Sequence, residues 1–358
     1  LIKFGDGFHP DNGMGHALNL IEGVRAELEP LEAAAILIEY AHNPTGVYVQ
    51  DLKQLDYLLE IEDIAGIKDP YWHWMANIPC SSPLKLDNAT AGRYVYMLKT
   101  GIYPAKVTAM PVLGVNVPVT AGGAVVVVAA EFLVLWFAAR LIQPKKIPLV
   151  GMPITGTMDI RKGDVSFTAL DAAIIRLSIC EFIKKWIGVQ ISPGPGEWGP
   201  TKEPSLYNTL EKAYFAMLAA AFTGHHPDIG VGHLDSGLTI SPVQMIIDTE
   251  FSKSLKFLEK PLFSADSVAM DAILDVKHGF KDNFLYHEHT ISHINNSLWL
   301  PQYFIRGGWS NEEEKDIKDK ALKKVKEIKA SYKKPEGRED IVARVWSVIE
   351  RAGRHLTK

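Results

Sequence analysis

The unit that decides the fold reads IPLVGMP at residues 147–153, LDAAIIRLSICEFIKKWI at 170–187 and VQISPG at 189–194. The first and last pieces are short apolar runs that close at Pro or Gly, which is typical of buried strands. The middle piece carries apolar residues at helical spacing. A strand, a helix and a second strand in this order predict a βαβ unit whose parallel strands are buried on both faces.

The same alternation recurs along most of the chain. Strand-like runs close at Pro79, Pro111, Pro153, Pro193 and His233, at intervals of roughly 30–40 residues, the size of one strand with its crossover helix. Further helices are predicted at 88–98, 206–222 and 242–258. The pattern predicts the α/β class and, within it, a (β/α)8 TIM-type barrel. An open doubly wound sheet is the alternative, but no GxGxxG motif opens a first turn.

The two ends of the pattern are less regular. The run 34–40 fits either a strand or the end of a helix before a strand at 46–49, and the run 284–286 is predicted as a short last strand. Residues 311–356 are rich in Lys and Glu and predict two amphipathic helices outside the barrel. We therefore predict a barrel domain at 1–305 and a C-terminal helical extension at 306–358.

Charge and cysteine content narrow the class of protein. The net charge is −4 with both signs mixed, so no nucleic-acid groove is predicted. Only Cys80 and Cys180 are present, which favours a reducing cytoplasm. The apolar segment 112–142 is long enough to span a bilayer. However, Pro118 breaks it, and Glu131 in lipid would cost roughly 2.5–3.5 kcal/mol. A buried strand followed by a barrel helix is predicted instead, with no membrane association.

Seven motifs occur in a characteristic order: PLKL at 83–86, PVTAGGAVVVVAAE at 118–131, G-x-P-x-x-x-x-M-D-x-R at 151–161, LYNTLEKAY at 206–214, HLDSGLTIS at 233–241, IIDTEF at 246–251 and FLYHEHT at 284–290. By these motifs the segment 82–306 resembles the trimethylamine methyltransferase superfamily. Residues 1–80 match only weakly, so the resemblance leaves open whether N-terminal barrel elements are lacking.

The resemblance implies a corrinoid-dependent reaction of one-carbon metabolism, such as methanogenesis. Members of the family are barrels that demethylate tertiary or quaternary amines and pass the methyl group to a Co(I) corrinoid (cobalamin) on a separate small corrinoid-binding protein. The founding enzymes carry pyrrolysine in a loop of pattern GG-pyrrolysine-x-D-x-K-x-P. Here the loop reads GPGEWGPTKEP at 194–204, and alignment on Lys202, Pro204 and Glu211 puts Trp198 at the pyrrolysine position. The resemblance thus implies a member without pyrrolysine, similar to glycine betaine methyltransferase, that acts on a betaine-like amine.

The implied substrate suggests which residues bind it. A quaternary ammonium has no N–H, so aromatic faces hold it, at roughly 0.5–2 kcal/mol each. Trp198, Trp74 and Tyr286 lie near predicted strand ends, where the active residues of barrels are found. A betaine carboxylate needs a partner, for which His233 is the first candidate and Asn77 a weaker one.

Structural roles for these side chains remain open. Trp198 could be packed for stability, Trp72 and Trp74 suit a strand core, and His233 could be a structural histidine. Arg161 is a weak carboxylate candidate, with a simple ion pair to Asp159 as its alternative.

The late histidines allow two interpretations. In a strand, His287 and His289 would share a face and could bind one metal, which favours a metal-dependent barrel hydrolase as an alternative function. We instead predict that His287 and His289, with Gly122 and Gly123, contact the corrinoid and that no metal site is present. A non-catalytic relative that binds a betaine or a corrinoid protein is the third hypothesis.

No side chain is assigned as catalytic. Methyl transfer from a quaternary nitrogen releases a neutral amine and needs no acid, so catalysis is mostly positioning. The nucleophile belongs to the cofactor. Barrels of this size commonly associate, so a homo-oligomer is predicted.

Overall fold

Short strands alternate with longer helices, so the chain belongs to the mixed α/β class, as the sequence predicts. The computed structural model describes residues 1–9, 23–69, 72–74, 78–101, 105–143, 148–194, 196–225, 227, 229–257, 268–276, 283–304 and 311–356. The helices are α1 Ile2–Phe8, α2 Glu29–Tyr40, α3 Leu55–Ala65, α4 Asn88–Thr100, α5 Ala121–Ile142, α6 Leu170–Ile187, α7 Leu206–Thr223, α8 Pro242–Lys256, α9 Met270–Asp275, α10 Glu288–Ser297, α11 Asn311–Ser331 and α12 Glu339–Leu356. The strands are β1 Val47–Tyr48, β2 His73–Trp74, β3 Ile78–Cys80, β4 Ala105–Ala109, β5 Val112–Leu113, β6 Leu149–Pro153, β7 Gly156–Asp159, β8 Asp164–Ser166, β9 His233–Leu234 and β10 Thr239–Ile240.

Parallel strands lie side by side in the order in which they occur along the chain. β1 pairs with β2, β3 with β4, and β4 with β6, all in parallel. The amide of Ser192 donates to the carbonyl of Gly151 at 3.0 Å, which places the segment 189–193 beside β6. We call β3, β4 and β6 with the segment 189–193 the arc; this strand order occurs both in (β/α) barrels and in open parallel sheets. Among the described residues, each sheet has two or three strands and none closes into a complete barrel.

A hairpin projects from the carboxyl end of this arc. β7 follows β6 almost directly, pairs in parallel with β5, and turns back into the antiparallel strand β8. Downstream, the strand-like run that was predicted to close at His233 is wrong in detail, because β9 begins only at His233 and pairs antiparallel with β10. The strands β7 to β10 lie outside the sheet of β3, β4 and β6. The segments next to them surround the cleft described below.

Two other sequence expectations are decided by the structure. The ambiguous run 34–40 is helical and lies within α2. The strand predicted at 284–286 is wrong, because Asn283 accepts a hydrogen bond from the amide of Leu285 at 2.9 Å and a turn leads directly into α10. A run of three largely exposed apolar residues buries too little surface to hold a strand in a sheet.

Helix α5 lies between β5 and β6 in the chain and packs on one face of the parallel sheet. It buries Val128, Phe132 and Trp136 in the main core, against β4 and β6. Glu131 is also buried and accepts hydrogen bonds from Ser82 Oγ at 3.1 Å and from the amide of Leu84 at 3.0 Å, which anchors the loop after β3. By length and composition α5 is the one helix in the described part of the chain that could cross a membrane, and 39% of its apolar window is buried.

The last two helices pack against the beginning of the chain. α12 buries Val345 and Val348 against α2 and α3, and α11 buries Ala321 and Val325 against α8 and α1. The predicted boundary between residues 305 and 306 lies outside the described residues.

Local signals fix the two helices that frame the site. Ser205 accepts a hydrogen bond from the amide of Tyr207 and begins α7, which ends at Gly224 in the left-handed conformation. Ser241 accepts from the amide of Gln244 and begins α8 with a proline in the first turn. Both starts follow the usual capping pattern, in which a serine side chain satisfies an otherwise unpaired amide.

Candidate functional site

A small cleft lies where β6 and the neighbouring segment 189–193 end. Trp198, in the loop 194–204, forms one wall and meets Phe167 edge to face, with 5.4 Å between ring centroids and an interplanar angle of 85°. The other lining residues are Met152, Ile154, Arg176, Gly194 and Glu197. The volume of this Trp198 cleft that a water-sized sphere can reach is about 10 Å³, far below the usual range of ligand pockets, about 300–1,000 Å³. The lining residues therefore nearly fill the cleft, and a ligand larger than a water molecule would require them to move apart.

A tight turn covers one face of the Trp198 indole. Asp235, Ser236 and Gly237 have φ values of 51°, 55° and 94°. A Cβ atom on Gly237 would lie 3.1 Å from each of three atoms of the indole, so the glycine rests directly on the ring. Left-handed residues other than glycine cost of order 1–3 kcal/mol each and persist only where the surroundings enforce them.

The surroundings do enforce this turn. The amide of Ser236 donates to the carbonyl of Gly199 at 2.9 Å, and its hydroxyl donates to the carbonyl of Val165. The amide of Asp235 donates to the carbonyl of Thr201 at 2.8 Å. The turn therefore fixes Trp198 from behind and joins its loop to the β7–β8 hairpin.

Glu197 is a site residue that the sequence analysis missed. Burial raises the pKa of its carboxyl, while Arg176, Lys212 and Lys106 act in the opposite direction. None of the described residues donates a hydrogen bond to this carboxylate. A Cβ on Gly230 would fall 1.9 Å from the Cβ of Glu197, so this glycine makes room for Glu197. The sequence signal that could have identified Glu197 as a site residue is its position as a charged residue between Gly196 and Trp198.

Arg176 on α6 holds the ends of three chain segments together. Its guanidinium donates to the carbonyls of Pro193 at 3.2 Å, Thr155 at 3.1 Å and Phe167 at 2.9 Å. It also lies over the ring of Phe215, 4.4 Å from the centroid. Burial lowers the pKa of Arg176 to about 10. A helix residue thus fixes the geometry of the Trp198 cleft.

Lys106 points into the interior of the arc. Val107 and Ala109 on the same strand are buried in the helix-facing core. Side chains alternate along a strand, so Lys106 and Thr108 face the other side. Burial lowers the pKa of Lys106, and the carboxylate of Glu197 opposes that shift.

A buried ion pair fixes the chain where β9 begins. Lys212 on α7 and Asp248 on α8 are fully buried, with Nζ 2.7 Å from Oδ2. Lys212 also donates to the carbonyl of His233 at 2.9 Å. Asp248 accepts three further hydrogen bonds, from the amide of Gly232 at 2.9 Å, Thr209 Oγ1 at 2.6 Å and Gln244 Nε2 at 2.8 Å. A buried charge is costly unless it is paired and hydrogen-bonded. This network therefore fixes the backbone of Gly232 and His233, where β9 begins.

His233 takes part in this network through its backbone. Its carbonyl accepts from Lys212 and from Asn208 Nδ2, the latter at 3.0 Å. His233 is not among the residues that line the Trp198 cleft. Its predicted contact with a substrate carboxylate stays a prediction.

Neither Trp72 nor Tyr286 lines the Trp198 cleft. Trp72 is 1% exposed and donates from Nε1 to the carbonyl of Pro44 at 3.0 Å, which confirms its structural role. Trp74 lies on β2 opposite Tyr48, and Asn77 lies outside the described residues. Tyr286 is 83% exposed in the turn before α10.

The HxH pair is not on a strand, so the premise of a shared strand face is wrong. His287 caps α10, and its Nδ1 accepts from the amide of His289 at 3.1 Å. His289 stacks instead on His293, with 4.2 Å between centroids. In the described part of the chain, no three His, Cys, Asp or Glu side chains are grouped as metal ligands. The geometry therefore gives the hydrolase alternative no support.

The remaining candidates lie at or near the surface. Gly122 and Gly123 are at the start of α5; no atom lies within 4 Å of a Cβ built on Gly122, whereas a Cβ on Gly123 would fall 2.5 Å from the Cβ of Pro118. Arg161 pairs with Asp159, at 3.0 Å between Nε and Oδ1. This confirms the ion-pair alternative for Arg161.

Sequential parallel strands with intervening helices and a small aromatic cleft at the strand ends are typical of barrel enzymes. Comparison with known proteins defines the family. The profile of the trimethylamine methyltransferase (MTTB) family matches residues 40–356. The chain therefore belongs to the trimethylamine methyltransferase family, and the resemblance carried by the motifs is confirmed.

Individual relatives agree at low identity. Trimethylamine methyltransferase MttB of Methanosarcina barkeri (strain Fusaro / DSM 804) is 25% identical over 276 residues, which cover 76% of this chain and 54% of that protein. MttB of Desulfitobacterium hafniense is 24% identical over 282 residues, with the same coverage. MttB of Methanosarcina thermophila is 27% identical over 251 residues, or 69% of this chain and 50% of that protein. The chain spans about half the length of these relatives.

Proposed function

We propose that the protein transfers a methyl group from a quaternary or tertiary, betaine-like methylated amine to the Co(I) corrinoid of a separate small protein. The observation that carries the proposal is the aromatic corner of Trp198 and Phe167, which opens on a small cleft at the strand ends. Family membership supports the reaction class.

The residues that line the cleft have the chemistry that a quaternary ammonium needs once they move apart to admit it. A quaternary ammonium offers no N–H and is held by aromatic faces and by shape, at roughly 0.5–2 kcal/mol per ring. Gly237 covers one face of Trp198, so the indole can present only its other face to a ligand. Glu197 beside it supplies negative charge, and Met152 and Ile154 supply apolar walls.

The chain's part in the reaction is to bind, orient and exclude water. Methyl transfer requires the methyl group to lie in line with its acceptor, and alignment alone can lower the barrier greatly. The corrinoid supplies the nucleophile when bound. A quaternary ammonium, or a tertiary amine that is already protonated, departs as a neutral amine, so no residue has to supply a proton during the transfer. The rigid turn behind Trp198 and the carbonyl contacts of Arg176 hold the walls in place.

The start of α5 fits the approach of a large group. Gly122 leaves open space where a side chain would stand, and the nearby Val119 is 68% exposed. An exposed apolar surface of this kind suits a flat macrocycle or the protein that carries it. We assign Gly122 and Gly123, together with His287 and His289, to this contact.

The proposal includes the wider architecture. We propose a (β/α)8 barrel at 1–305 with a helical extension at 306–358, acting in the cytoplasm as a homo-oligomer. The order of β3, β4 and β6 supports the barrel, and two free buried cysteines suit a reducing compartment.

The test mixes purified protein with cob(I)alamin and a panel of methylated amines without oxygen, and follows the spectrum. Conversion of cob(I)alamin to its methylated form with one betaine-like amine is the expected result. Trp198→Ala should abolish it, whereas Trp186→Ala, an exposed tryptophan on α6, should not. Equal loss in both variants, or stoichiometric zinc with no methyl transfer, would refute the proposal.

A further inference from the structure

Helix α5 is apolar on the side that faces away from the sheet as well as on the side that packs against it. The sequence 121–142 contains only two charged residues, Glu131 and Arg140, and Glu131 is buried. The large side chains exposed on the outward side are Val126, Val134, Phe137 and Leu141, each at 60% or more. A helix that is apolar all round is normally buried on every side.

The neighbouring helix α6 extends this apolar surface. α5 connects β4 to β6, and α6 connects β6 to the segment 189–193 beside it, so the two helices run in the same direction and pack side by side. Residues four apart lie on one side of a helix, and α6 exposes four large apolar residues at multiples of this spacing: Leu170, Ile174, Phe182 and Trp186. We call these eight exposed residues, with Ala130 and Ser178 between them, the α5–α6 face.

The α5–α6 face is as large as an interface between two proteins. At roughly 150 Å² for each fully exposed large side chain, the exposed fractions of 37–71% leave roughly 700 Å² of apolar surface. The largest apolar patch on a monomer is about 300–600 Å², whereas a stable complex buries about 800 Å² on each partner. A surface of this size indicates a protein partner.

The position and charges of the face argue against two other occupants. A corrinoid protein has to reach the carboxyl ends of the strands, whereas α5 and α6 run away from those ends along the outside of the sheet. A lipid surface would have to accept the exposed pair of Glu181 and Lys185, with Oε1 and Nζ 2.5 Å apart beside Phe182, and charges are costly in hydrocarbon. The same ion pair suits the polar rim of a protein interface.

A second copy of the chain fits because the stripe on α5 is complementary to itself when reversed. The side chains grow from Val126 and Ala130 at one end to Phe137 and Leu141 at the other. In an antiparallel pair of α5 helices, Phe137 of one copy meets the small Ala130 of the other. Leu141 then meets Val126, and Val134 lies near the two-fold axis.

The stripe on α6 has the same order of sizes. Ile174 and Ser178 precede the larger Phe182 and Trp186, whose ring centroids are 5.2 Å apart. The same antiparallel arrangement sets Phe182 against Ile174 and Trp186 against Leu170, with Ser178 near the axis. A parallel arrangement would set the aromatic rings against each other and leave a gap between the smaller residues.

Charges at the ends of the helices favour the same orientation. Arg140 lies in the last turn of α5, and Lys184 and Lys185 lie in the last turn of α6. The first turn of α6 carries the exposed Asp171. Antiparallel docking brings the basic end of one copy to the acidic end of the other, and such complementarity fixes the orientation of an interface.

We propose that two copies of the chain associate through the α5–α6 face, with antiparallel helices, about a two-fold axis that passes near Val134 and Ser178. Each copy contributes the same residues to such a contact. The inference gives a surface and a symmetry to the homo-oligomer of the proposed function, and it does not depend on the proposed reaction.

Oxidative cross-linking of introduced cysteines tests the axis. Val134→Cys should form a disulfide-linked dimer, because its two copies face each other; the native cysteines are buried. Val126→Cys alone should not, because about 1.5 Å of helix rise per residue puts its two copies about 22 Å apart. An equal mixture of Val126→Cys and Leu141→Cys should cross-link. Leu322→Cys, at an exposed leucine on α11, is the matched control and should not.

Sedimentation equilibrium tests the face without cross-links. The wild-type protein should sediment at twice the 39.7 kDa of one chain. Phe137→Glu should raise the dissociation constant about tenfold or more, because lone carboxylates would enter the apolar contact. Adding Ala130→Lys should restore the dimer, since antiparallel pairing sets each new ammonium against the new carboxylate of the other copy. Leu322→Glu should have no effect, and circular dichroism checks that each variant is folded.

Contrary outcomes overturn the proposal. Cross-linking of Val126→Cys by itself, or failure of Ala130→Lys to rescue Phe137→Glu, would exclude the antiparallel axis. An unchanged mass in Phe137→Glu would exclude the face. A wild-type protein that stays single and floats with phosphatidylglycerol vesicles would assign the face to a lipid surface. Methyl transfer to cob(I)alamin is measured separately, so failure of the proposed reaction is distinguishable from failure of this inference.

Discussion

The Lys212–Asp248 pair offers the sharpest test of how the site is held in place. Lys212→Met keeps most of the side-chain volume and removes the charge. Asp248, which is fully buried, then keeps its three other donors but loses the cation at 2.7 Å. The carbonyl of His233 loses one of its two side-chain donors.

The magnitude follows from these contacts. Removal of one partner from a buried ion pair costs about 3–5 kcal/mol, because an uncompensated charge stays in the interior. The three remaining donors place Lys212→Met near the lower end, at about 3 kcal/mol. Asp248→Asn should cost a similar amount. The double variant should be less destabilised than the sum of the two single variants, because no lone charge remains.

Urea unfolding followed by circular dichroism measures these free energies. Lys185→Met removes an exposed cation paired with Glu181 and should change the free energy of unfolding by less than about 0.5 kcal/mol. A loss under about 1 kcal/mol for Lys212→Met would refute the reasoning, since a buried pair should cost more. Strict additivity in the double variant would show that the two side chains do not act as a pair.

Three further predictions concern the cleft and the core. Gly237→Ala and Gly224→Ala should each lower the free energy of unfolding by about 1 kcal/mol, because both glycines have positive φ. Only Gly237→Ala should weaken betaine binding in calorimetry, since the added methyl group would contact the Trp198 indole. Equal losses of betaine affinity in the two variants would contradict this prediction. Burial raises the pKa of Cys80 to about 11 and of Cys180 to about 12, so mass spectrometry should find neither alkylated by iodoacetamide at neutral pH until the protein is unfolded; rapid native alkylation would argue against their burial. Burial also raises the pKa of Glu197, so its carboxylate becomes protonated as the pH falls through that raised value. Calorimetry should show that the affinity for choline falls over the same pH range, and Glu197→Gln should remove this pH dependence. The same pH profile in Glu197→Gln would exclude Glu197 as the source of the pH dependence.

Secondary-structure elements whose formation depends on residues close in the sequence were predictable from the sequence. The helix predicted at 170–187 is α6 with the same bounds, and the helix predicted from Pro242 begins there. Helical periodicity and serine caps act within a few residues of the chain, so the sequence displays them directly. The strand predicted at 284–286 failed because a three-residue apolar run forms a strand only if a neighbouring strand accepts it.

The site was predictable only in part. The position of Trp198 came from the loop 194–204, but its neighbours Phe167 and Gly237 come from distant segments. The space that Gly230 leaves for Glu197 joins two segments far apart in the chain, and spacing along the sequence does not reveal it. His233 was singled out for its ring, whereas the network around β9 uses its carbonyl.

The sequence by itself determined the α/β class, the family and the bounds of α4, α6, α7 and α8 to within two residues, because periodicity, caps and motifs are written along the chain. The tertiary structure alone decided which charges share the interior. Lys106, Arg176 and Glu197 are brought together from a strand, a helix and a loop. Coulomb energy depends on distance and burial, and separation along the sequence specifies neither.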